Sequence, residues 1–240
     1  MNKEDFIKEL AKLNIKLSDE QLNKLENYAN FLIEYNKHTN LTTITDINDI
    51  YLKHFYDSLT IVKATDFTRV NTLIDVGSGA GFPGLVIKIV FPNINVTLLD
   101  SNNKKITFLN EVISLLKLEN IKTVNSRSED YALKHLDEFD VVTARAVTDL
   151  QGLTEICLPM VKVGGLFIPL KGNVDEELKY SYNIINKLNG SLVNNIDLTL
   201  PDDVSKRSIL VIKKNSKTPS GYPRSYSKIK NDIEKRSKIK

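Results

Sequence analysis

Up to about residue 68 the apolar positions recur at helical spacing. Phe6, Leu10 and Leu13 form one set, and Leu22, Leu25, Tyr28, Ala29, Leu32 and Ile33 a second, each marking one face of a 3.6-residue repeat. Ser18-Asp19-Glu20-Gln21 precedes the second set and has the form of a capping box, which predicts a helix start. A third, short helix is predicted around His54, Phe55, Leu59 and Val62, after the turn-forming loop Asn36-Lys37-His38-Thr39-Asn40-Leu41-Thr42. From Val70 the pattern changes to short β-branched runs, with strands predicted at 72–76, 95–100, 121–125, 139–144, 166–170, 191–200 and 208–213. Amphipathic stretches at 83–90, 104–116, 150–160 and 175–188, and a shorter one at 129–133, lie between them. Strands alternating with helices imply a parallel sheet with right-handed crossovers. The last two strands are joined through Pro201-Asp202-Asp203 without a helix, which predicts an antiparallel hairpin. The expectation is an α/β protein: a mostly parallel seven-stranded sheet with helices on both faces. An N-terminal helical segment (1–68) precedes the sheet domain (69–214), and a basic tail (215–240) follows it.

Composition narrows the setting. Of the 240 residues 41% are hydrophobic and 26% charged, a globular balance. The longest apolar runs, such as 161–170, fall well short of the ~20 residues that cross a bilayer. Met1-Asn2-Lys3-Glu4-Asp5 leads into no apolar signal core, so a cytoplasmic protein is expected. Cys157 stands alone among Ile156, Leu158 and Met160, as a core thiol would. With one Cys and three scattered His, no metal site is expected. The net charge of +3 conceals an asymmetry. From Lys213 to Lys240 ten Lys/Arg face two Asp/Glu, whereas the rest of the chain carries 23 basic against 28 acidic groups. A basic end on an acidic body suits a polyanion partner or a solvated terminus. Tyr222, Pro223, Arg224 and Tyr226, interleaved there, add stacking surfaces for bases.

The most informative run is Leu73-Ile74-Asp75-Val76-Gly77-Ser78-Gly79-Ala80-Gly81-Phe82-Pro83-Gly84. A buried strand ends in an acidic residue and turns through glycines into a helix, and such turns let a ligand lie against the backbone. Open parallel sheets bind ligands at the carboxyl ends of their strands. Gly79 to Gly84 formally matches G-x-G-x-x-G, and Asp100 follows Gly79 by 21 residues, which also suits a dinucleotide. The register disagrees: the tight turn begins at Gly77, and counting from there puts Phe82 where the third glycine belongs. A carboxylate on Asp75 aimed at the pocket would repel a pyrophosphate and suit the amino group of a methionine. S-adenosylmethionine, with a ribose for Asp100 and no phosphate, is therefore the preferred ligand. Ser126-Arg127-Ser128-Glu129-Asp130 after the third strand is placed to meet an adenine. Arg145, ending the fourth strand in Thr143-Ala144-Arg145-Ala146, and Lys171-Gly172, ending the fifth, face the same mouth.

These segments, taken together, resemble the RsmG family (older name glucose-inhibited division protein B). The resemblance rests on Tyr35 to Thr42, His54-Phe55-Tyr56-Asp57-Ser58-Leu59, Asp75 to Gly84, and Leu98-Leu99-Asp100-Ser101 with Lys105, Phe108 and Leu109. Ala144-Arg145-Ala146-Val147, Lys171-Gly172 and Tyr222-Pro223-Arg224 complete it. It implies a class I methyltransferase, Rossmann-like sheet. It also implies transfer of a methyl group from S-adenosylmethionine to N7 of a guanine in the 530 loop of 16S ribosomal RNA. Cofactor contacts are then expected at Gly77, Gly79, Phe82, Asp100, Ser128, Glu129 and Arg145. RNA contacts are expected at Arg127, Arg145, Lys171, Arg207 and Arg224. Two segments depart from the family pattern: Asn103-Lys104-Lys105, where a Lys-Arg pair is common, and the ending Ser225-Tyr226-Ser227-Lys228-Ile229.

Guanine N7 carries a lone pair and no proton, so attack on a sulfonium methyl needs positioning rather than a general base. No catalytic acid–base pair is expected; His54 and Asp57, three apart on a short helix, read as local packing partners, and the family resemblance leaves a role at the site open for them. The guanine N7 edge of an A-form duplex lies in a groove that side chains read poorly, so an exposed loop base is the expected target. The partner is 16S rRNA or the small ribosomal subunit, met by a monomer. Two other readings remain open on the residues alone: a nicotinamide-dependent oxidoreductase, and a non-catalytic RNA-binding assembly factor.

Overall fold

The computed structural model describes residues 1–145 and 147–237; Ala146 and the last three residues of the basic tail lie outside the described residues. Helix α1 (Lys3–Lys12) and helix α2 (Asp19–Thr39) open the chain. The capping box forms: Ser18 Oγ accepts from the Gln21 amide at 3.2 Å, and Gln21 Oε1 accepts from the Ser18 amide at 2.9 Å. The same Gln21 side chain donates to the carbonyls of Ile89 and Val90, tying the start of α2 to the sheet domain. Helix α3 (Ile47–Asp49) runs into a π-helical segment, Ile50–Tyr56, and then α4 (Asp57–Leu59). A short ordinary helix is what the apolar spacing predicts here. Widened turns of this kind recur at functional sites, and this one carries His54 and leads to Asp57.

The sheet strands are β1 (Thr72–Val76), β2 (Asn95–Asp100), β3 (Ile121–Asn125), β4 (Phe139–Arg145), β5 (Val161–Lys171), β6 (Gly190–Thr199) and β7 (Lys206–Lys214). Their spatial order is β3-β2-β1-β4-β5-β7-β6. The first five are parallel, and β7 runs antiparallel to both β5 and β6. The hairpin is thus present, with its second strand inserted between β5 and its first. The helices are α5 (Gly84–Val90), α6 (Asn103–Leu115), α7 (Ser128–Ala132), α8 (Leu150–Cys157), α9 (Asp175–Lys187) and α10 (Tyr226–Ser237). Strand alternation divides the core. Leu73 of β1 joins a cluster with α1, α2, α5 and α6, while Ile74 and Val76 join one with α8, α9 and Ile229 of α10. No helix among the described residues is long and apolar enough to cross a membrane.

The basic end departs from the expected tail. Residues 226–237 form α10, which lays Ile229 against Gly152 of α8. Tyr226, Ile229 and Ile233 make an apolar stripe at helical spacing that all pack on the second cluster. The surrounding lysines mask that stripe in the sequence.

Candidate active site

The sheet order reverses between β1 and β4, so the carboxyl ends of these neighbouring strands form the crevice at which open α/β sheets bind ligands. Two clefts flank it. One, of about 320 Å³, is lined at its base by Gly77, Asp100, Ser101, Ser128 and Glu129. The other, of about 460 Å³, is lined by Lys53, His54, Asp57, Arg145, Lys171 and Arg207.

In the first cleft the glycine turn and β2 are locked together by Asp100. Its Oδ2 accepts from the Gly79 amide at 3.0 Å and its Oδ1 from the Asn102 amide at 2.8 Å, with Lys105 Nζ 3.7 Å away. Gly77, Gly79 and Gly81 all have positive φ, which only glycine adopts without strain. A methyl group on Gly79 would meet nothing nearer than 3.9 Å, so there is room above that backbone for a ligand. Ser128 and Glu129 open α7, and Arg127, just before them, reaches Glu129 at 3.4 Å. The donor set fits an adenosyl group. Asp100 and Glu129 can accept from its hydroxyl and amino groups, with Lys105 and Arg127 beside them in the same lining.

Asp75 is not in this cleft, contrary to the direction read from the sequence. It is fully buried, and its Oδ2 accepts from the Gly84 amide at 2.8 Å at the first turn of α5. Burial pushes its pKa up to about 7. The helix N-terminus captures the carboxylate beneath the turn, so Asp75 does not decide between a pyrophosphate and a methionine amino group. Phe82 also lies under the turn, stacked on His54 at 4.2 Å and on Tyr28 at 5.5 Å. It does not share the lining of Gly77, Asp100, Ser128 and Glu129.

The second cleft is organised by one carboxylate. Asp57, 3% exposed, accepts from Arg207 Nε at 2.9 Å and from Arg145 Nη1 at 3.3 Å. Arg145 also donates to the Lys53 carbonyl at 3.0 Å, and its guanidinium carbon lies 5.1 Å from the Phe82 ring centre. His54 completes the group, with Nε2 3.1 Å from Thr42 Oγ1 and Nδ1 3.1 Å from Arg145 Nη2. Burial, and then the charge of Arg145, drive the His54 pKa down to about 3. Lys171 reaches Glu177 at 2.7 Å and the Thr148 carbonyl at 2.9 Å. Since Thr148 also lines the first cleft, this bond joins the two. Arg145, Lys171 and Arg207 are therefore brought together. Arg127 stands across the first cleft, and Arg224 lies apart, paired with Glu155 at 2.6 and 2.7 Å. His54 and Asp57, packing partners by their spacing with a site role left open, both line this cleft, and Asp57 is its shared anchor. Its pairing with Arg207 spans 150 residues and has no local signal.

A sheet with five parallel strands, an antiparallel strand inserted beside β5 and a glycine turn after β1 is the fold of class I methyltransferases. TrmN from Thermus thermophilus superposes with a TM-score of 0.53 at 15% identity, covering 65% of this chain and 48% of that one. A SAM-dependent O-methyltransferase from Thermotoga maritima gives 0.52 at 16%, covering 78% and 73%. At that identity the likeness concerns the fold. The sequence comparison goes further. The profile of the GidB family, rRNA small subunit methyltransferase G, matches residues 21–196. Ribosomal RNA small subunit methyltransferase G of Bacillus velezensis is 48% identical over 227 residues, covering 93% of this chain and 95% of that one. Its Bacillus subtilis namesake is 47% identical with the same coverage. The chain belongs to the rRNA small subunit methyltransferase G family.

Proposed function

We propose that the protein transfers a methyl group from S-adenosylmethionine to N7 of a guanine in the 530 loop of 16S rRNA. The observation that carries this reading is the pair of clefts at the switch point. One is polar and nucleoside-sized with a carboxylate at its base; the other holds three cationic side chains at the ends of β4, β5 and β7. S-adenosylmethionine would supply the electrophilic methyl group. Asp100 would accept from its ribose hydroxyls, each such charge-assisted bond contributing about 1.5–3 kcal/mol. Gly77 and Gly79 would let it lie against the backbone, and Ser128 and Glu129 would meet its adenine. Lys171 and Arg207, with Arg127 across the first cleft, would hold the RNA phosphates, and Arg145, engaged by Asp57, Lys53 and His54, would shape the cleft around the base.

The groups beside the second cleft are not free to act as bases. Asp57 is occupied by two guanidinium groups, and His54 by Arg145 and Thr42. That suits a nitrogen with no proton to lose. Family membership displaces the nicotinamide-dependent alternative. The substrate is the small subunit or its RNA, met by a monomer in the cytoplasm, with residues 1–68 packed on a 69–214 transferase unit. Incubation with labelled S-adenosylmethionine and small subunits or 16S RNA tests this, followed by mapping of methylated guanines. Label at N7 of one guanine in the 530 loop is expected. Label only at other atoms, or none from folded protein, overturns the reading and leaves the RNA-binding assembly factor.

A further inference from the structure

Tyr226, the first residue of α10, lines the same cleft as Asp100, Ser128 and Glu129. The ring is half-buried, and the Arg127 guanidinium carbon lies 5.3 Å from its centre.

Three contacts hold this segment in place, all on α8 or its cap. Two residues before the ring, Arg224 grips Glu155 with three hydrogen bonds, two from its guanidinium and one from its amide, and Glu155 is 1% exposed. Near the far end of α10, Arg236 donates to Asp149 at 2.6 Å and to Gln151 at 3.1 Å. Between them Ile229 is buried against Gly152. Helix α8 itself sends Ile156 to the cleft, so the ring and one cleft wall are fixed on the same support.

We propose that Tyr226 forms a wall of the purine subsite, stacking on the adenine of an adenosyl ligand bound over Asp100. The proposal rests on the reading of this cleft as the S-adenosylmethionine site. The residue is partly buried and packs on the protein core, so it is ordered before the ligand arrives and loses little freedom on binding. Purines offer a π face that stacks on tyrosine without any particular hydrogen-bond pattern. The α7 start, with Ser128 and Glu129, supplies that pattern at the base's edge. The Arg127 guanidinium now over the ring gives up this cation–π contact to the purine when the ligand stacks there. The basic segment thus serves the cofactor cleft, and an RNA base on the same ring is the competing outcome.

The chain contains no Trp, so Tyr226→Trp places a lone indole fluorophore at the cleft. S-adenosylhomocysteine is titrated by calorimetry into the wild-type protein, Y226A and Y226W, and by fluorescence into Y226W. Y226A should bind about tenfold more weakly. Y226W should keep near-wild-type affinity, with an emission change that saturates at the calorimetric Kd and disappears when Asp100→Ala is added. Wild-type protein that binds no S-adenosylhomocysteine removes both the cofactor reading and this proposal. Wild-type binding with a silent Y226W, or with Y226A unchanged in affinity, removes the proposal alone. So does a Y226A protein that loses RNA affinity while keeping S-adenosylhomocysteine. Should Y226A fail to fold, the Y226W titration decides.

Discussion

Arg145 Nη2 lies 3.1 Å from Nδ1 of His54, a geometry in which the neutral imidazole accepts from the guanidinium. The folded protein keeps His54 uncharged down to about pH 3, whereas an unfolded chain protonates it near 6.5. Between these values the unfolded state binds the extra proton, so stability is lost as pH falls through that window. His54→Gln removes this dependence. The wild-type stability, measured relative to His54→Gln by urea unfolding, should fall by about 1.4 kcal/mol per pH unit from pH 6 to 4. A difference that stays flat would show that burial and the charge of Arg145 do not hold the ring neutral.

Asp75 acts with the opposite sign. Burial raises its pKa from 3.8 to about 7, so the folded state holds a proton that the unfolded chain has released. The associated stability is complete below pH 3.8 and is lost as pH rises through 7. Relative to Asp75→Asn, the wild-type protein should become less stable by about 1.4 kcal/mol per unit between pH 4 and 7. In the shared window the two residues offset each other. The single variants should therefore show opposite slopes where the wild-type curve, as far as these two groups shape it, is nearly level.

Asp57 joins the helical segment to the sheet by holding Arg145 and Arg207 together. Replacing it leaves two partly buried guanidinium groups facing each other without a counter-charge. Asp57→Ala should cost about 3 kcal/mol in urea unfolding. Asp57→Asn, which keeps an acceptor but not the charge, should recover only part of it. A loss below about 0.5 kcal/mol would mean that solvent screens the cluster as it does surface pairs.

The sheet was legible because its strands are short, β-branched and separated by helices. Predicted and observed limits coincide for β1, β2 and β3. β1 and β2, buried on both faces, carry that signal within themselves, whereas β3 is a half-exposed edge strand marked by its β-branched residues. The Gly77–Gly81 turn and Asp100 could be read because a tight turn needs particular backbone angles and therefore particular residues. The π-helical segment at Ile50–Tyr56 was hidden, since its apolar spacing resembles an ordinary helix. The burial of Asp75 was hidden too: a carboxylate at a strand end points into the cleft or under the helix according to which amide captures it. Helix α10 was masked by its lysines.

Arg224 separates a structural cation from an RNA contact. The sequence expectation gives it a phosphate, but both of its forks are engaged, one by Glu155 and one by Asp232. Those pairs raise its pKa further above the usual arginine range. Arg224→Ala would strand the buried Glu155 charge, so amides of 226–237 should lose hydrogen-exchange protection. The salt dependence of RNA binding should keep its wild-type slope. A slope smaller by about one, with α10 still protected, would instead identify a phosphate contact.

The glycine turn is braced from the N-terminal helices. Tyr28 of α2 donates from its hydroxyl to the Ala80 carbonyl, and Gly81 beside it has a φ of 102°. A Cβ on Gly81 would lie 2.6 Å from the Tyr28 hydroxyl and 3.0 Å from Leu85 Cβ. Gly81→Ala therefore meets backbone strain, the phenol oxygen and the Leu85 Cβ, and should destabilise by about 2–3 kcal/mol. Tyr28→Phe removes the oxygen at the expense of one hydrogen bond, about 1 kcal/mol. Combined, the two changes should cost less than their sum, because the collision with the phenol oxygen is relieved while the strain remains. Urea unfolding of the four proteins measures this. Strict additivity would mean that the turn moves away from α2 when Gly81 is replaced, and that Tyr28 does not brace it.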